Sequence, residues 1–454
     1  MRITVVGDGK VGHSLAKNLA KEDHDVVIVD RSEEVLQRSE DTLDVLCVRG
    51  NGADAKTLLE ADVAHSDILI AATAGDETNM LCCLIGKRLG AKYAIARIRD
   101  PEYNESLSLF QQELGIDMAI NPERATALEI SRLLRFPFAD GIESFAKGRV
   151  EMVAFHVHEN DLVVGCPLKS LSHARPGIPQ VLYCALERGE EVIIPDGDCV
   201  IQPGDRVHVA SDIVTITSYF HFLGKHTLRV KSVMLLGGGR ISYYLARLIE
   251  PMGMRVSIIE INEDKAEELS QLLPDANIIC GDGTDWELLE QEGLADMDVL
   301  VALCNRDEDN LIVGLSAAHA GVPKVIVKNS RMGFSTLFGS LGLESIVSPK
   351  AITCDVILRY VRAHAGSAGM AVEKLYRLMD GKAEALEFVV AAGEPYIGIP
   401  LKKLHKQPHT LIAAIVREGK VIIPFGSDTI EAGDSVIVVV RESGISDLNE
   451  VIFP

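Results

Sequence analysis

The residues of this sequence best suited to chemistry are closely spaced glycines beside the start of a helical pattern. The motif Gly7–Gly12 (GDGKVG) follows a short apolar run, and Asp30 ends the next apolar run. In this context the first glycine permits a tight turn, the second lets the backbone approach a pyrophosphate, and the third lets the helix pack on the strand. The helix that begins near residue 10 supplies free N–H groups and a positive dipole end to the anion. The Asp30 carboxylate accepts hydrogen bonds from ribose hydroxyls and repels a 2′-phosphate, so the pattern predicts a site for NAD or another adenine nucleotide rather than NADP.

The same motif returns in the second half of the chain as Gly237–Ser242 (GGGRIS), with Glu260 in the place of the acid. The third glycine is replaced by Ser242, which is small, so we expect the contact of helix and strand to be only slightly loosened. Two alternatives follow: a second working site, or a copy that no longer binds. Arg31 becomes Ile261, so the two sites should hold the adenosine end differently. Arg31 either stacks on adenine or is a solvated residue that opens a helix.

Further candidates follow the later strands of each copy, because ligands of such sheets lie outside the carboxyl ends of the strands. Loops after the third strands can reach adenine, and loops after the fourth strands should border the phosphates or the distal ribose. A cation at the end of each fifth strand either meets phosphate or is solvated. The predicted binding residues are Gly7, Asp8, Gly9, Lys10, Val11, Gly12, Asp30, Asn51, Thr73, Ala74 and Arg97 in the first copy, and Gly237, Gly238, Gly239, Arg240, Ile241, Glu260, Asp282 and Lys328 in the second.

These motifs belong to a duplication that organises the whole chain. The two glycine motifs lie 230 residues apart, close to half of the 454 residues. Each copy begins with short apolar runs that alternate with helical patterns, which predicts a parallel sheet covered on both faces, the doubly wound Rossmann-like arrangement. In the first copy the strands are expected at 2–6, 26–30, 45–48, 67–71 and 93–97, with a sixth near 117–120.

The end of each copy is different in character. Runs at 150–158, 181–187, 191–194 and 206–210 are typical of short strands, with a hairpin turn expected at 188–190. We therefore predict an α/β chain in which two doubly wound domains are each followed by a small, mostly β (α+β) domain. The predicted domains are 1–141, 142–226, 227–370 and 371–454.

Composition restricts the possible functions. Lys and Arg number 45 and Asp and Glu number 66, giving a net charge of −21, which argues against nucleic acid as a partner. No apolar run is long enough to span a bilayer, and the N-terminus lacks a signal-peptide pattern. The nine cysteines include no C-x-x-C pair, which indicates a reducing compartment. His156 and His158 share one face of a strand but lack a third ligand, so we predict no metal site and expect them to face solvent or a subunit contact.

The sequence also contains no recognisable catalytic motif. A dehydrogenase of this size would carry a substrate domain in its second half, whereas this second half repeats the first, and no P-loop, H-E-x-x-H or G-x-S-x-G motif occurs. We therefore predict no catalytic residues. The alternatives are an NAD-dependent oxidoreductase with an unrecognised catalytic domain and a free-standing nucleotide-binding protein.

Further motifs support a resemblance to a known family. They are Asp76–Asn79 (DETN), Ala96–Pro101 (ARIRDP), and the paired Gly-x-Pro-Leu and Gly-Asp motifs of the small domains. With the glycine motifs, they make the chain resemble the TrkA family of regulatory subunits of bacterial Trk potassium-uptake systems, and each copy resembles one RCK (or KTN) domain. The resemblance covers essentially the whole chain.

The resemblance implies a protein that is not an enzyme. Such a protein binds NAD(H), or alternatively ATP or ADP, at its glycine motifs, acid residues and later loops. It assembles as a homo-oligomeric ring, a dimer or tetramer, at the cytoplasmic face of the membrane. Its partner is a membrane potassium-translocating subunit of Trk type, which it gates.

Overall fold

A computed structural model describes residues 1–103, 106, 111–136, 139–225, 230–329, 343, 345–365, 372–378, 381–441, 444–445 and 447–453. The predicted domain boundaries at 226/227 and 370/371 lie outside the described residues, and the division into four domains stays a prediction. Within the described ranges, no helix combines the length and the apolar character needed to cross a bilayer.

The first element of the fold is a six-stranded parallel sheet with the order β3-β2-β1-β4-β5-β6. Its strands are β1 (Arg2–Val6), β2 (Asp25–Asp30), β3 (Leu46–Arg49), β4 (Ile68–Ala71), β5 (Tyr93–Arg97) and β6 (Met118–Ile120), and its helices are α1 (Lys10–Lys21), α2 (Glu33–Thr42), α3 (Ala55–Glu60), α4 (Asp76–Leu89) and α5 (Pro122–Arg135). Every residue of β4 is buried, as expected for a strand covered by helices on both faces. The order reverses between β1 and β4, so the loops after these strands open a crevice at the carboxyl edge.

An antiparallel sheet of order β10-β9-β11-β8-β7 follows. Its strands are β7 (Gly141–Phe145), β8 (Val150–His156), β9 (Leu182–Arg188), β10 (Glu191–Ile193) and β11 (Arg206–Ser211), with helices α6 (Leu171–Ala174) and α7 (Ile213–Phe222). The predicted hairpin is confirmed, because Arg188 pairs with Glu191 and Gly189 has a positive φ of 60°. The predicted boundary at 141/142 falls inside β7.

The second half repeats both sheets. The parallel sheet has the order β14-β13-β12-β15-β16-β17, and the antiparallel sheet the order β18-β19-β23-β21-β22. The elements of the parallel part are β12 (Ser232–Leu236), α8 (Arg240–Ile249), β13 (Arg255–Glu260), α9 (Glu263–Leu272), β14 (Asn277–Cys280), α10 (Trp286–Gln291), β15 (Val299–Ala302), α11 (Asp307–His319), β16 (Lys324–Lys328), β17 (Ser345–Val347) and α12 (Pro349–Ala365). Those of the antiparallel part are β18 (Val372–Leu378), β19 (Ala383–Val389), β20 (His405–Lys406), β21 (Thr410–Arg417), β22 (Lys420–Ile422), β23 (Ser435–Val440) and β24 (Ile452–Phe453). The predicted fold class is confirmed.

The chain forms two compact units that do not coincide with its two halves. One unit contains Met1–Thr126 together with Pro349–Val361, and the other contains Ala127–Ser348 with Arg362–Pro454. Most of helix α12 therefore belongs to the unit of the first parallel sheet, where Tyr360 meets Tyr93 edge to face with ring centroids 6.2 Å apart. The repeat in the sequence contains no sign of this arrangement.

The paired Gly-Asp motifs of the small domains have a structural role. Asp205 is buried and binds the Arg188 guanidinium through two hydrogen bonds of 2.8 and 2.7 Å. Asp434 holds Arg417 in the same way, at 2.9 and 2.8 Å. In each copy this fork ties the hairpin strand to the turn that starts the following strand.

The structure separates the two histidines of the predicted pair. The face of β8 opposite them is buried as expected, but Met152 and Ala154, on the face of His156, are buried too. His158 is exposed, whereas His156 is half-buried and its Nδ1 lies 2.7 Å from Oδ2 of the buried Asp140.

Candidate functional site

The first glycine motif forms a tight turn at the carboxyl end of β1. Gly7 has a φ of +98°, and a Cβ there would lie 2.9 Å from the Thr73 nitrogen in the loop after β4. Any side chain would therefore be strained by the backbone and would collide with the neighbouring loop. Gly237 has the same conformation, with a φ of +94°, and a Cβ would lie 3.3 Å from the Cα of Cys304.

The second glycine of each motif opens onto free space. Gly9 is the N-cap of α1 and Gly239 the N-cap of α8, and a Cβ at either would meet nothing within 4 Å. Neither cap supplies a side-chain hydrogen bond, and neither first turn contains an acidic residue. No cap side chain therefore competes with an anion for the helix start, as a phosphate site requires.

The residues after these caps begin the helices. Lys10 and Arg240 are exposed at the first helical positions. Val11 is half-buried, and Ile241 is 8% exposed. A ligand at the helix start can therefore contact the backbone of these residues and the positive charge of Lys10 or Arg240.

The third position distinguishes the copies. A Cβ at Gly12 would lie 1.8 Å from the carbonyl oxygen of Gly7, so only glycine fits this approach of helix and turn. In the second copy the hydroxyl of Ser242, fully buried, donates a hydrogen bond to the carbonyl of Gly237. The serine thus bonds to the oxygen equivalent to the one that Gly12 approaches.

The acid at the end of the second strand holds the glycine turn. Asp30 Oδ2 accepts a 2.7 Å hydrogen bond from the Asp8 N–H, and Oδ1 accepts one of 2.9 Å from Ser32. Glu260 repeats this with Gly238, at 2.7 Å, and Asn262, at 2.9 Å. Each carboxylate oxygen has a second lone pair, so both acids can still receive ribose hydroxyls.

The fourth-strand loop is fixed by a buried asparagine, whose role the sequence did not indicate beyond its place in a repeated motif. Asn79 is fully buried, and its Oδ1 accepts hydrogen bonds from the N–H and hydroxyl of Thr73, at 2.9 and 2.7 Å. Its Nδ2 donates to the carbonyl oxygens of Arg97, at 2.8 Å, and Thr73, at 3.3 Å. The asparagine therefore joins the ends of β4 and β5, and Ala74 is exposed beside it.

The second copy contains the same construction on different residues. Asn310 Oδ1 accepts a 2.8 Å hydrogen bond from the N–H of Cys304. Its Nδ2 donates to the carbonyl oxygens of Cys304, at 2.9 Å, and Lys328, at 3.1 Å. Burial raises the pKa of the Cys304 thiol, so this residue offers the site no thiolate at neutral pH.

The two cations at the ends of the fifth strands turn towards the fourth-strand loops. The Arg97 guanidinium lies 3.4 Å from the Thr73 carbonyl oxygen. Lys328 Nζ donates to the Leu303 carbonyl at 3.0 Å. Both cations thus lie beside the loop where the phosphates or distal ribose are expected.

The loops after the third strands differ most. In the first copy the Asn51 Oδ1 accepts hydrogen bonds from the Arg31 guanidinium, at 2.6 Å, and from the Ala53 N–H, at 3.1 Å. Arg31 precedes the N-cap of α2, so it does not open the helix. In the second copy Asp282 accepts the equivalent backbone hydrogen bond from Thr284 and a further one from its hydroxyl, which lowers the pKa of Asp282, while Ile261, in the place of Arg31, is 68% exposed. Asp282 therefore stabilises its own turn.

The structure thus gathers the turn, acid and fourth-strand residues of each copy through direct contacts. In contrast, it places Lys10, Ala74 and Arg240 at exposed positions near them. Asn79 and Asn310 are the residues that sequence reasoning missed, although the repeated DETN and DEDN motifs contained the signal. Each arrangement combines a glycine turn, an open helix start and a carboxylate, which is the set of groups that an adenosine phosphate requires.

Comparisons with known proteins identify the family of this chain. The TrkA-N domain family matches residues 3–122 and 233–349, and the TrkA-C domain family matches residues 385–452. The Trk system potassium uptake protein TrkA homolog 1 of Methanosarcina mazei is 32% identical over 458 residues, covering 99% of each chain. TrkA of Vibrio alginolyticus is 32% identical over 461 residues, covering 100% of this chain and 99% of that one. The GsuK channel bound to NAD has a similar fold, with a TM-score of 0.62 at 16% identity over 97% of this chain and 76% of that one.

Proposed function

This chain belongs to the TrkA family, and we propose that it is a nucleotide-sensing regulatory subunit that binds NAD(H) and gates a Trk-type membrane potassium transporter. The observation that supports this proposal best is the repeated glycine turn, clasped in each copy by an acid at the end of the second strand. Two such sites in a chain without a separate substrate domain suit a sensor better than an enzyme.

The ligand we propose is NAD⁺ or NADH, with ATP and ADP as alternatives. All four present the adenosine and phosphates that the glycine turns and helix starts can hold. Asp30 and Glu260 oppose a 2′-phosphate by charge, so NADP(H) should bind more weakly. The binding residues we propose are those predicted above, with Asn79 and Asn310 as their supports.

Regulation then requires that the ligand distinguish two states of the protein. A nucleotide shifts a conformational equilibrium only by its difference in affinity for the two states, and a ligand that binds both equally gates nothing. We propose that the protein acts as a homo-oligomeric ring, a dimer or tetramer, at the cytoplasmic face of the membrane. There the ring passes this shift to the potassium-translocating subunit.

Calorimetric titration of NAD⁺, NADH, ATP and ADP tests the binding. In the wild type we expect two sites per chain. Asp30→Ala should remove the first and Glu260→Ala the second, each leaving the other intact as an internal control. Since each acid also holds its glycine turn, Asp30→Asn and Glu260→Gln serve as milder variants that keep one acceptor oxygen. Unchanged NAD⁺ binding in Asp30→Ala would contradict the first site, and unchanged stoichiometry in Glu260→Ala would mean that the second copy is silent.

Two further experiments separate the proposal from its alternatives. Steady oxidation of NADH with candidate acceptors would overturn the regulatory function in favour of an oxidoreductase. Co-purification with a membrane protein of the potassium-transporter type, lost or altered on adding nucleotide, supports the gating. Its absence in a strain that contains such a transporter would favour a free-standing nucleotide-binding protein.

A further inference from the structure

The loop of the first site contains a buried acid that the second site lacks. The side chain of Asp8, between the two motif glycines, is fully buried. Its Oδ2 accepts a 2.6 Å hydrogen bond from the Ser39 hydroxyl, and its Oδ1 has no hydrogen-bond partner. Ser39 in turn lies 2.8 Å from His13 Nδ1. Because the serine proton goes to Asp8, His13 must donate from Nδ1, which gives a chain from histidine through serine to aspartate.

None of the three residues recurs in the second copy. The equivalent positions, 230 residues further on, hold Gly238, Tyr243 and Leu269. A Cβ at Gly238 would lie only 2.4 Å from a methyl group of Leu269, so a side chain there would require the leucine to move. The second loop therefore has the same backbone packed against the apolar side chain of Leu269. The two sites differ in that only the first contains the ionisable pair Asp8 and His13.

Building on the proposed function, we propose that Asp8 is the specificity-determining residue of the first nucleotide site, selecting against the more highly charged nucleotides and linking binding there to proton uptake. The N–H of Asp8 lies in the glycine turn, hydrogen-bonded to Asp30, while its carboxylate is buried in the same turn and hydrogen-bonded to Ser39. A negative charge at this place opposes the phosphates that the helix start attracts, and it does so through protein rather than solvent. The opposition grows with ligand charge, so ATP is affected more than NAD⁺.

Protonation of the pair relieves this opposition. His13 Nδ1 is 3.5 Å from Asp8 Oδ1, so a proton on either residue makes the pair neutral overall. Burial raises the pKa of Asp8 and lowers that of His13 from their ordinary values. A proton added to the pair on acidification removes its net negative charge, whichever of the two residues receives it. The other charged groups acting on the pair are Asp30, Arg38 and Lys350, from β2, α2 and α12; the two cations reduce the selectivity without removing it.

The sign of the linkage follows. An anionic ligand binds the protonated, neutral pair better, so affinity at the first site should rise as pH falls. NAD⁺ is the suitable probe because its pyrophosphate does not titrate in the range of interest, unlike the terminal phosphates of ADP and ATP. The second site, with glycine at the same position, should show no such dependence.

The test uses the full chain with Glu260→Ala, in which only the first site binds, and the full chain with Asp30→Ala, in which only the second does. We expect the NAD⁺ affinity of the first site to rise about tenfold from about pH 8 to about pH 5.5, and that of the second to stay constant. Asp8→Asn, which keeps the hydrogen bond from Ser39, should abolish this slope. At about pH 8 it should raise the affinity for ATP roughly tenfold and that for NAD⁺ by less.

A second variant tests the same proposal in case Asp8→Asn does not fold. The triple substitution Asp8→Gly, His13→Tyr and Ser39→Leu gives the first loop the residues of the second, and should give it the same flat pH profile and the same ratio of ATP to NAD⁺ affinity. A purely structural role for Asp8 would lower all affinities equally and keep the slope. An unchanged slope in both variants, or equal pH profiles of the two wild-type sites, overturns the proposal while leaving nucleotide sensing intact. Absence of any binding at the first site would instead contradict the proposed function.

Discussion

The close approach of Gly12 to the turn gives the sharpest prediction about the first site. In Gly12→Ala the new Cβ would lie 1.8 Å from the Gly7 carbonyl oxygen and 2.9 Å from its carbon, both backbone atoms. Since a relaxed C···O contact is about 3.3 Å, helix and turn must separate by roughly 1.5 Å. The turn cannot retreat, because the Gly7 N–H is bonded to the Val29 carbonyl at 2.8 Å and Ala72 lies 3.0 Å from where a Gly7 Cβ would be.

We therefore expect helix α1 to move, which displaces the N–H groups that meet the phosphates. Overpacking of this kind costs about 1–3 kcal/mol. If this cost is taken from the free energy of binding, NAD⁺ affinity at the first site falls by a factor of about 10 to 100, since about 1.4 kcal/mol corresponds to tenfold. Calorimetry in the Glu260→Ala chain measures the affinity, and thermal unfolding shows whether the domain remains folded.

The matched control is the second copy, where a side chain already occupies this position. Ser242→Ala removes only the hydrogen bond to Gly237, worth about 0.5–1.5 kcal/mol of stability, and should leave NAD⁺ affinity at the second site within about threefold. Gly12→Ser introduces the same Cβ as Gly12→Ala and should also displace the helix, but its hydroxyl offsets part of the cost by bonding to the Gly7 carbonyl, as Ser242 does to Gly237. If a folded Gly12→Ala protein binds NAD⁺ with wild-type affinity, the close contact between Gly12 and the Gly7 carbonyl does not shape the site.

Three further predictions concern buried polar groups. Asn79→Ala should weaken NAD⁺ binding at the first site more than tenfold by freeing Thr73 and Arg97. The control Thr4→Val breaks the buried 2.7 Å hydroxyl pair between Thr4 in β1 and Ser66 before β4, and should lower the melting temperature without changing affinity. Equal loss of affinity in both variants would argue against a positioning role of Asn79. Asp205→Asn should lower the free energy of unfolding, measured by urea titration, by about 1–3 kcal/mol, because it weakens the buried fork to Arg188. Asp434→Asn should have the same effect through Arg417. A neutral result for either variant would mean that the two forks are not equivalent. Burial alone would raise the pKa of Glu187, but Arg206 and His208 lower it to about 2. The ionised carboxylate therefore contributes roughly 3 kcal/mol to the free energy of unfolding above the unfolded pKa near 4.5, and this contribution should fade as the pH falls from there towards 2. Unfolding followed from about pH 6 to pH 3 should show this loss in the wild type and a flatter profile in Glu187→Gln.

Local residue patterns were sufficient to predict much of this molecule. Apolar runs of four to six residues predicted the strands of the first sheet to within a residue or so at each end. The turn glycine Gly7 was recognisable because its positive φ leaves few other residues possible, and Asp30 because it closes the next strand. Both signals depend on neighbours along the chain. The duplication added to them, since a second copy with the same spacing makes chance agreement improbable.

The tertiary structure decided what depends on contacts between distant residues. The bond of Asn79 to Arg97 spans 18 residues, and that of Ser39 to Asp8 spans 31, and no local periodicity records either. Likewise, only the packing shows that most of α12 shares a compact unit with the first parallel sheet, because a repeated sequence fixes the same elements twice but not which neighbours bury them. The sequence by itself determined the two folds and the place of each glycine turn. The packed side chains decided how each turn is held and why the two sites differ, since burial and hydrogen-bond partners are set by the whole chain at once.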